Sequence, residues 1–184
     1  MEGKELDILN KAVETAVIAH ESQKRKGSSI PYIVHPVTVA MLLMQADCSR
    51  DIVIAGLLHD TVEDTSMSYE TIQNQFGANV ARLVQECSEH DKAKEWEERK
   101  QHMINQIEHI SEEACMIMCA DKLHNICSVA TNLQTSGDMV GNRFKRGKDK
   151  QEWYYRSVVE ALGKRIPEFS LYVLLKREVE GLFE

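Results

Sequence analysis

Four ionisable side chains fall within six positions of the segment GLLHDTVEDT: His59, Asp60, Glu63 and Asp64. They directly follow two leucines, so the helix that would carry them has the composition of a buried one. Residues four apart lie on the same side of a helix, which pairs each of the first two groups with one of the last two. Imidazoles and carboxylates that face one cavity can bind a metal ion or transfer protons. A lone His or Asp at a helix end is more often a core or cap residue, so this interpretation requires a further group elsewhere in the chain.

A second acid in an apolar context, Asp121, interrupts the run MIMCADKL. Burial of a carboxylate without a partner is costly. A divalent cation would satisfy His59, Asp60 and Asp121 together. His35 precedes Pro36, which is suited to the first position of a helix, so we expect His35 at a helix entrance, where it can serve as a fourth ligand. Two imidazoles and two carboxylates suit Mn, Fe or Zn better than Mg or Ca.

The elements that must position these groups are helices. The chain has only 3 prolines, and its apolar residues recur at spacings of three and four. The pattern predicts an all-α fold with one domain over residues 1–184. Loops are expected before His35 and from Thr135 to Lys150. The expected helices are 6–23, one from Pro36, 51–64, a short one capped by Ser68, 78–87, the polar segment SEHDKAKEWEERKQHMINQIEHI, one opened by Ser111, one around EWYYRSVVEALGKR and one after Pro167.

Composition and charge restrict the partners. The chain has 184 residues, of which 43% are hydrophobic, enough for one compact domain. A net charge of −7 and a pI of about 5.5 predict no nucleic-acid partner, so a polyanionic substrate needs local cations or a metal. The 5 cysteines form no CxxC pair and are typical of a reducing compartment. Because the sequence shows neither a signal-peptide pattern nor a long apolar run, we expect a cytoplasmic protein that does not associate with membranes. The sequence leaves the oligomeric state open, with a homo-oligomer as one alternative.

The sequence resembles a known family. His35, the pair His59-Asp60 and Asp121 resemble the H…HD…D signature of the HD-domain phosphohydrolases, an all-helical superfamily. The segments RKGSSIPYIVHP, GLLHDTVEDT, FGANVARLV and ADKLHNI closely resemble the hydrolase domain of the RelA/SpoT homologues, including the stand-alone small alarmone hydrolases. Their HDxxED motif is unusual among HD proteins. The resemblance covers roughly residues 12–164 and implies a single HD-type phosphohydrolase domain.

The resemblance also implies the roles of individual side chains. One Mn²⁺ would be held by His35, His59, Asp60 and Asp121. The water and its protons would be handled by Glu63 and Asp64. Spacing does not decide which of these two is base or acid.

Substrate contacts follow from the resemblance as well. Arg25 and Lys26 would contact the nucleotide, whereas a run such as KRK is by itself more typical of a solvated face. Asn125 would line the pocket with Ser128 near it. Similar proteins often carry Arg where this chain has Cys127 in LHNIC, which leaves the base or phosphate preference open.

The implied activity is a Mn-dependent hydrolase that removes pyrophosphate from the ribose 3′ position of guanosine tetraphosphate or pentaphosphate, giving GDP and pyrophosphate from the tetraphosphate (ppGpp). One alternative keeps the chemistry and changes the small-molecule nucleotide to NADPH, an adenosine alarmone or a nucleoside monophosphate. Another is a non-enzymatic regulatory module with a vestigial metal site. That module would be favoured if a ligand or both acids were missing, and none is missing.

Overall fold

The fold is helical throughout the residues that a computed structural model describes, 2–89, 93–136 and 147–184. Within them every regular element is an α-helix, and an isolated antiparallel bridge joins Lys24 to Pro31. The all-α prediction is therefore confirmed. None of the described helices combines the length and apolar character needed to cross a membrane. The chain divides into two compact units, Met1–Glu89 and His90–Glu184.

The first unit is built around one buried helix. Its elements are α1 (Glu2–Ala19), α2 (Val34–Gln45), α3 (Arg50–Leu58), α4 (Thr61–Asp64), α5 (Tyr69–Phe76) and α6 (Ala78–Cys87). Helices α1, α2 and α6 pack on α3, whose residues 52–58 are all buried. A Cβ atom at Gly56 would lie 2.5 Å from Leu43 Cδ1, so the glycine permits the close approach of α2 and α3. Ser68 caps α5 by accepting from the Thr71 N–H at 3.2 Å, as predicted.

The predicted continuous helix over 51–64 is wrong, because His59 and Asp60 separate α3 from α4. The His59 Nδ1 atom lies 2.8 Å from the Gly56 carbonyl oxygen, and the Thr61 hydroxyl donates to the Leu58 carbonyl at 2.7 Å. In an uninterrupted helix these carbonyls would accept from backbone N–H groups four residues later. Side chains take their place and end α3 at Leu58. The four candidate site residues of this segment, His59, Asp60, Glu63 and Asp64, therefore lie on a turn and a one-turn helix.

The chain between α1 and α2 differs from prediction at both ends. Helix α1 ends at Ala19, four residues before the expected end. Helix α2 begins at Val34, so His35 lies inside its first turn, and the His35 N–H donates to the Tyr32 carbonyl at 2.8 Å. Pro36 follows in the same turn. Backbone N–H groups in the first turn of a helix have no intrahelical acceptor, so proline, which lacks an N–H, is tolerated there.

Residues 24–31, here called the bridge loop, form a closed turn. Beside the Lys24–Pro31 bridge, the Arg25 N–H donates to the Ile30 carbonyl at 2.8 Å. Gly27 has φ +74°, a conformation that favours glycine, and it allows the chain to reverse. The bridge loop thus holds its two ends together.

The second unit has one long central helix. Its elements are α7 (Trp96–Gln106), α8 (Glu112–Ser136), α9 (Lys148–Gly163) and α10 (Ser170–Phe183). Helix α10 packs along α8, and α9 packs against α7, α8 and α10. Ser111 caps α8 as predicted, accepting from the Ala114 N–H at 3.2 Å. The loop predicted over Thr135 to Lys150 is helical at both ends, and its central residues, 137–146, lie outside the described residues.

Candidate active site

Three side chains of the first unit converge on one another. The Nε2 atoms of His35 and His59 lie 3.5 and 3.1 Å from the same atom, Asp60 Oδ2. The two imidazole rings are 5.2 Å apart between centroids and meet edge to face. The histidine side chains are only 2% and 6% exposed, and that of Asp60 is 17% exposed. The unit therefore contains a buried His/Asp cluster, His35, His59 and Asp60, that could hold a metal ion.

The hydrogen bonding of His59 indicates how this cluster fits a cation. A carbonyl oxygen can only accept, so Nδ1, which faces the Gly56 oxygen, carries the ring proton. In a neutral imidazole Nε2 then has a lone pair, and it faces a carboxylate oxygen of Asp60 at 3.1 Å. Two electron-rich atoms at this distance require a proton or a cation beside them. Orientation of a ligand histidine by a backbone carbonyl at its other nitrogen is usual in metal sites.

Tyr32 is a residue of this site that the sequence analysis missed. Its hydroxyl donates to Asp60 Oδ2 at 2.6 Å. Its ring centroid lies 5.8 Å from that of His35 and 5.0 Å from that of the buried His20. The available signal was its position three residues before His35 in PYIVHP, which places both side chains at the entrance of α2.

Two side chains from the segment that follows α1, His20 and Gln23, are connected to the end of α4. The Gln23 side-chain amide donates to the Asp64 carbonyl oxygen at 2.6 Å. Its other atom, Oε1, lies 2.8 Å from His20 Nδ1, which must therefore donate. Gln23 and His20 thus fix the backbone that carries the two α4 acids.

Those two acids, Glu63 and Asp64, occupy different surroundings. Glu63 is half-buried, and its Oε1 accepts from the backbone N–H of Glu89 at 2.5 Å. Donation from an N–H group stabilises the ionised carboxylate and fixes its direction. Asp64 is exposed. One carboxylate is held in place and the other is open to water.

The two cations predicted to contact substrate lie on the bridge loop. The guanidinium of half-buried Arg25 is 5.7 Å from the ring centroid of Tyr32, at cation–π distance. Lys26 is exposed. Arg25 therefore contacts the same tyrosine that donates to Asp60, while the substrate contacts themselves stay predictions.

Asp121 lies in the second unit, on α8, with both carboxylate oxygens engaged. Lys122 Nζ is 2.5 Å from Oδ2, and the Asn125 amide donates to Oδ1 at 2.5 Å. Burial acts to lower the pKa of Lys122, but the charge and hydrogen bond of Asp121, with help from two tyrosines, outweigh it and hold that pKa well above its usual value. Lys122 is therefore a permanent cation that compensates the buried charge of Asp121.

The predicted pocket residues of α8 share a face. Asn125 and Ser128 follow Asp121 by four and seven positions, so they lie on its side of the helix. The Ser128 hydroxyl donates to the His124 carbonyl at 2.8 Å. Cys127 lies about 120° around the helix from Asp121. Burial, and then the nearby charge of Glu178 on α10, raise the pKa of the Cys127 thiol. Position 127 is thus directed toward α10.

The chain matches known proteins over most of its length. The HD domain family matches residues 12–140, more than half of the chain. The mouse (Mus musculus) guanosine-3′,5′-bis(diphosphate) 3′-pyrophosphohydrolase MESH1 is 41% identical over 127 residues, which are 67% of this chain and 70% of that protein. A guanosine-3′,5′-bis(diphosphate) 3′-pyrophosphohydrolase from Aquifex aeolicus is 37% identical over 120 residues, 64% of this chain and 17% of that protein.

The chain is also similar to solved structures. A Listeria monocytogenes protein superposes with a TM-score of 0.74 at 38% identity, covering 85% of this chain and 100% of that one. A metazoan ortholog of SpoT that hydrolyzes ppGpp superposes with a TM-score of 0.80 at 29% identity, covering 95% and 96% of the two chains. The chain therefore belongs to the HD-domain family, within the group of RelA/SpoT-type hydrolases that includes MESH1.

Proposed function

We propose that this chain is a divalent-metal-dependent hydrolase that removes the 3′-pyrophosphate from guanosine tetraphosphate and pentaphosphate. With water, the tetraphosphate gives GDP and pyrophosphate. The observation that carries the proposal is the convergence of His35 and His59 on Asp60 beside the acids of α4. It is supported by the names of the relatives, which are pyrophosphohydrolases of the same nucleotide.

The cation would be held by His35, His59 and Asp60. We include Asp121 as the remaining ligand because it matches the last position of the H…HD…D signature. Two imidazoles with carboxylates favour a borderline metal, and Mn²⁺ is our proposal. When bound, such a cation lowers the pKa of a water and polarises a phosphoryl oxygen.

The acids of α4 would move the protons. Glu63 is suited to accept a proton from the attacking water, because the hydrogen bond from the Glu89 N–H fixes the direction of its carboxylate. Asp64, open to solvent, is suited to exchange protons with water and to supply one to the departing ribose 3′-oxygen.

The substrate would be held by local cations. A chain of net charge −7 repels a polyphosphate at long range, but charges beyond about 8 Å are largely screened at physiological salt. Arg25 and Lys26 can therefore dominate at contact distance. Asn125 and Ser128 complete the proposed substrate contacts.

The decisive experiment compares substrates. Protein loaded with Mn²⁺ or Mg²⁺ is incubated with guanosine tetraphosphate, its adenosine counterpart, NADPH and a nucleoside monophosphate at equal concentration. We expect the highest kcat/KM for an alarmone, release of pyrophosphate and higher activity with Mn²⁺. Faster cleavage of NADPH or the monophosphate, or release of orthophosphate, would overturn the alarmone assignment. The Asp60→Asn variant is the background control.

A further inference from the structure

Asp60 is the least constrained member of the His/Asp cluster. It lies in the break between α3 and α4, and its side chain is 17% exposed, against 2% and 6% for His35 and His59. The two imidazoles are fixed by burial, and His59 is also fixed by its contact with the Gly56 carbonyl. The direction of the Asp60 carboxylate therefore depends on its hydrogen-bond partners.

Tyr32 is placed to set that direction. Its hydroxyl donates to Oδ2 at 2.6 Å, and this is the oxygen that both histidine Nε2 atoms approach. Tyr32 is itself held at its backbone, since its N–H donates to the Gln23 carbonyl at 2.9 Å and its carbonyl accepts from the His35 N–H at 2.8 Å. Its ring is packed against His20.

We propose that Tyr32 is a positioning residue that holds the Asp60 carboxylate toward His35 and His59 and thereby sets the affinity of the site for a divalent cation. The inference rests on the proposed function insofar as the cluster binds a metal. Tyr32 acts through Asp60 and not on the substrate.

Two opposite effects of the hydroxyl must be weighed. It could compete with a cation for Oδ2, or it could prepare the carboxylate for the cation. A carboxylate oxygen has two lone pairs, so one hydroxyl and one cation can share it. Partners that orient a ligand commonly contribute about 10- to 100-fold to metal affinity or activity. We therefore expect orientation of the carboxylate to outweigh competition for Oδ2, so loss of the Tyr32 hydroxyl should weaken cation binding.

The test is the variant Tyr32→Phe in the full-length chain, because it keeps the ring against His20, His35 and Arg25 and removes only the hydroxyl. Metal-free protein is titrated with Mn²⁺ by calorimetry, without substrate. We expect the Mn²⁺ dissociation constant to rise about 10-fold. With saturating Mn²⁺, kcat should recover and KM should equal that of the wild type. Tyr69→Phe, the same change at the first residue of α5, should bind Mn²⁺ as the wild type does.

The outcomes separate the two proposals. If the wild-type chain binds no divalent cation, the proposed function fails. If the wild type binds Mn²⁺ and Tyr32→Phe binds it equally or more tightly, only the positioning role is overturned. A higher KM at unchanged Mn²⁺ affinity would also overturn it, because it would make Tyr32 a substrate contact. Circular dichroism and thermal unfolding verify that each variant is folded.

Discussion

At the scale of single residues, the two acids of α4 should separate metal binding from catalysis. Glu63→Gln and Asp64→Asn should retain the metal, because neither carboxylate belongs to the His/Asp cluster. Their kcat should fall by about 10²-fold or more, as expected for the loss of a general base or acid. Elemental analysis and steady-state kinetics measure the two effects. Loss of metal in both variants would make the acids ligands or their supports.

The cations of the bridge loop should act on substrate binding. Arg25→Ala and Lys26→Ala should mainly raise KM, since each removes a local positive charge from a chain of net charge −7. Lys176→Ala removes an equal charge from an exposed position on α10 and is the matched control. If KM is unchanged in both bridge-loop variants, their charges belong to a solvated face.

Residue types and spacing were sufficient to select His35, His59 and Asp60, which the structure brings together. They did not select Tyr32, because a tyrosine in a loop has no periodic pattern. Its hydroxyl is brought to Asp60, 28 positions later in the chain, by the tertiary fold. The different roles that we propose for Glu63 and Asp64 also depend on the fold, since the Glu89 N–H that contacts only Glu63 is distant in sequence.

At the scale of elements, periodicity predicted the helices but not their ends at the site. Apolar spacing continues from α3 into α4, yet His59 and Thr61 take over two backbone carbonyls and end α3. Competition between side chains and backbone is decided by local geometry, which hydrophobic pattern does not encode. The ends at Ser68 and Ser111 were predictable, because a hydroxyl at an N-cap has one favoured acceptor role.

The link between the segment after α1 and the end of α4 can be tested by Gln23→Ala. This change removes the donor to the Asp64 carbonyl, so the one-turn helix α4 loses an anchor. We expect a loss of about 0.5–1.5 kcal/mol in the free energy of unfolding, the usual net value of a hydrogen bond, and a lower kcat at unchanged metal content. Urea unfolding and kinetics measure both. Gln73→Ala, at an exposed position of α5, is the control. Equal stability of the two variants would contradict the anchoring role.

At the scale of the whole molecule, metal binding should be coupled to stability. A ligand that binds only the folded chain at 100 times its dissociation constant stabilises by about 2.7 kcal/mol. For a chain of this size that corresponds to a rise in Tm of about 5–10 °C. Tm should therefore rise with Mn²⁺ and fall with a chelator, measured by differential scanning calorimetry. The Asp60→Asn variant should show no rise in Tm with Mn²⁺. An identical Tm of the wild-type chain in Mn²⁺ and in chelator would contradict a metal centre in the native protein.

The closed turn of the bridge loop has a consequence for how such a site can diversify. In this chain the loop and the tyrosine after it read RKGSSIPY, and the Lys24–Pro31 bridge closes the loop at its base. Insertions at the tip can then be accommodated without moving Tyr32 or the entrance of α2. The tip of the loop can therefore change in sequence and length while Tyr32 and His35, which follow the bridge, keep their positions beside Asp60.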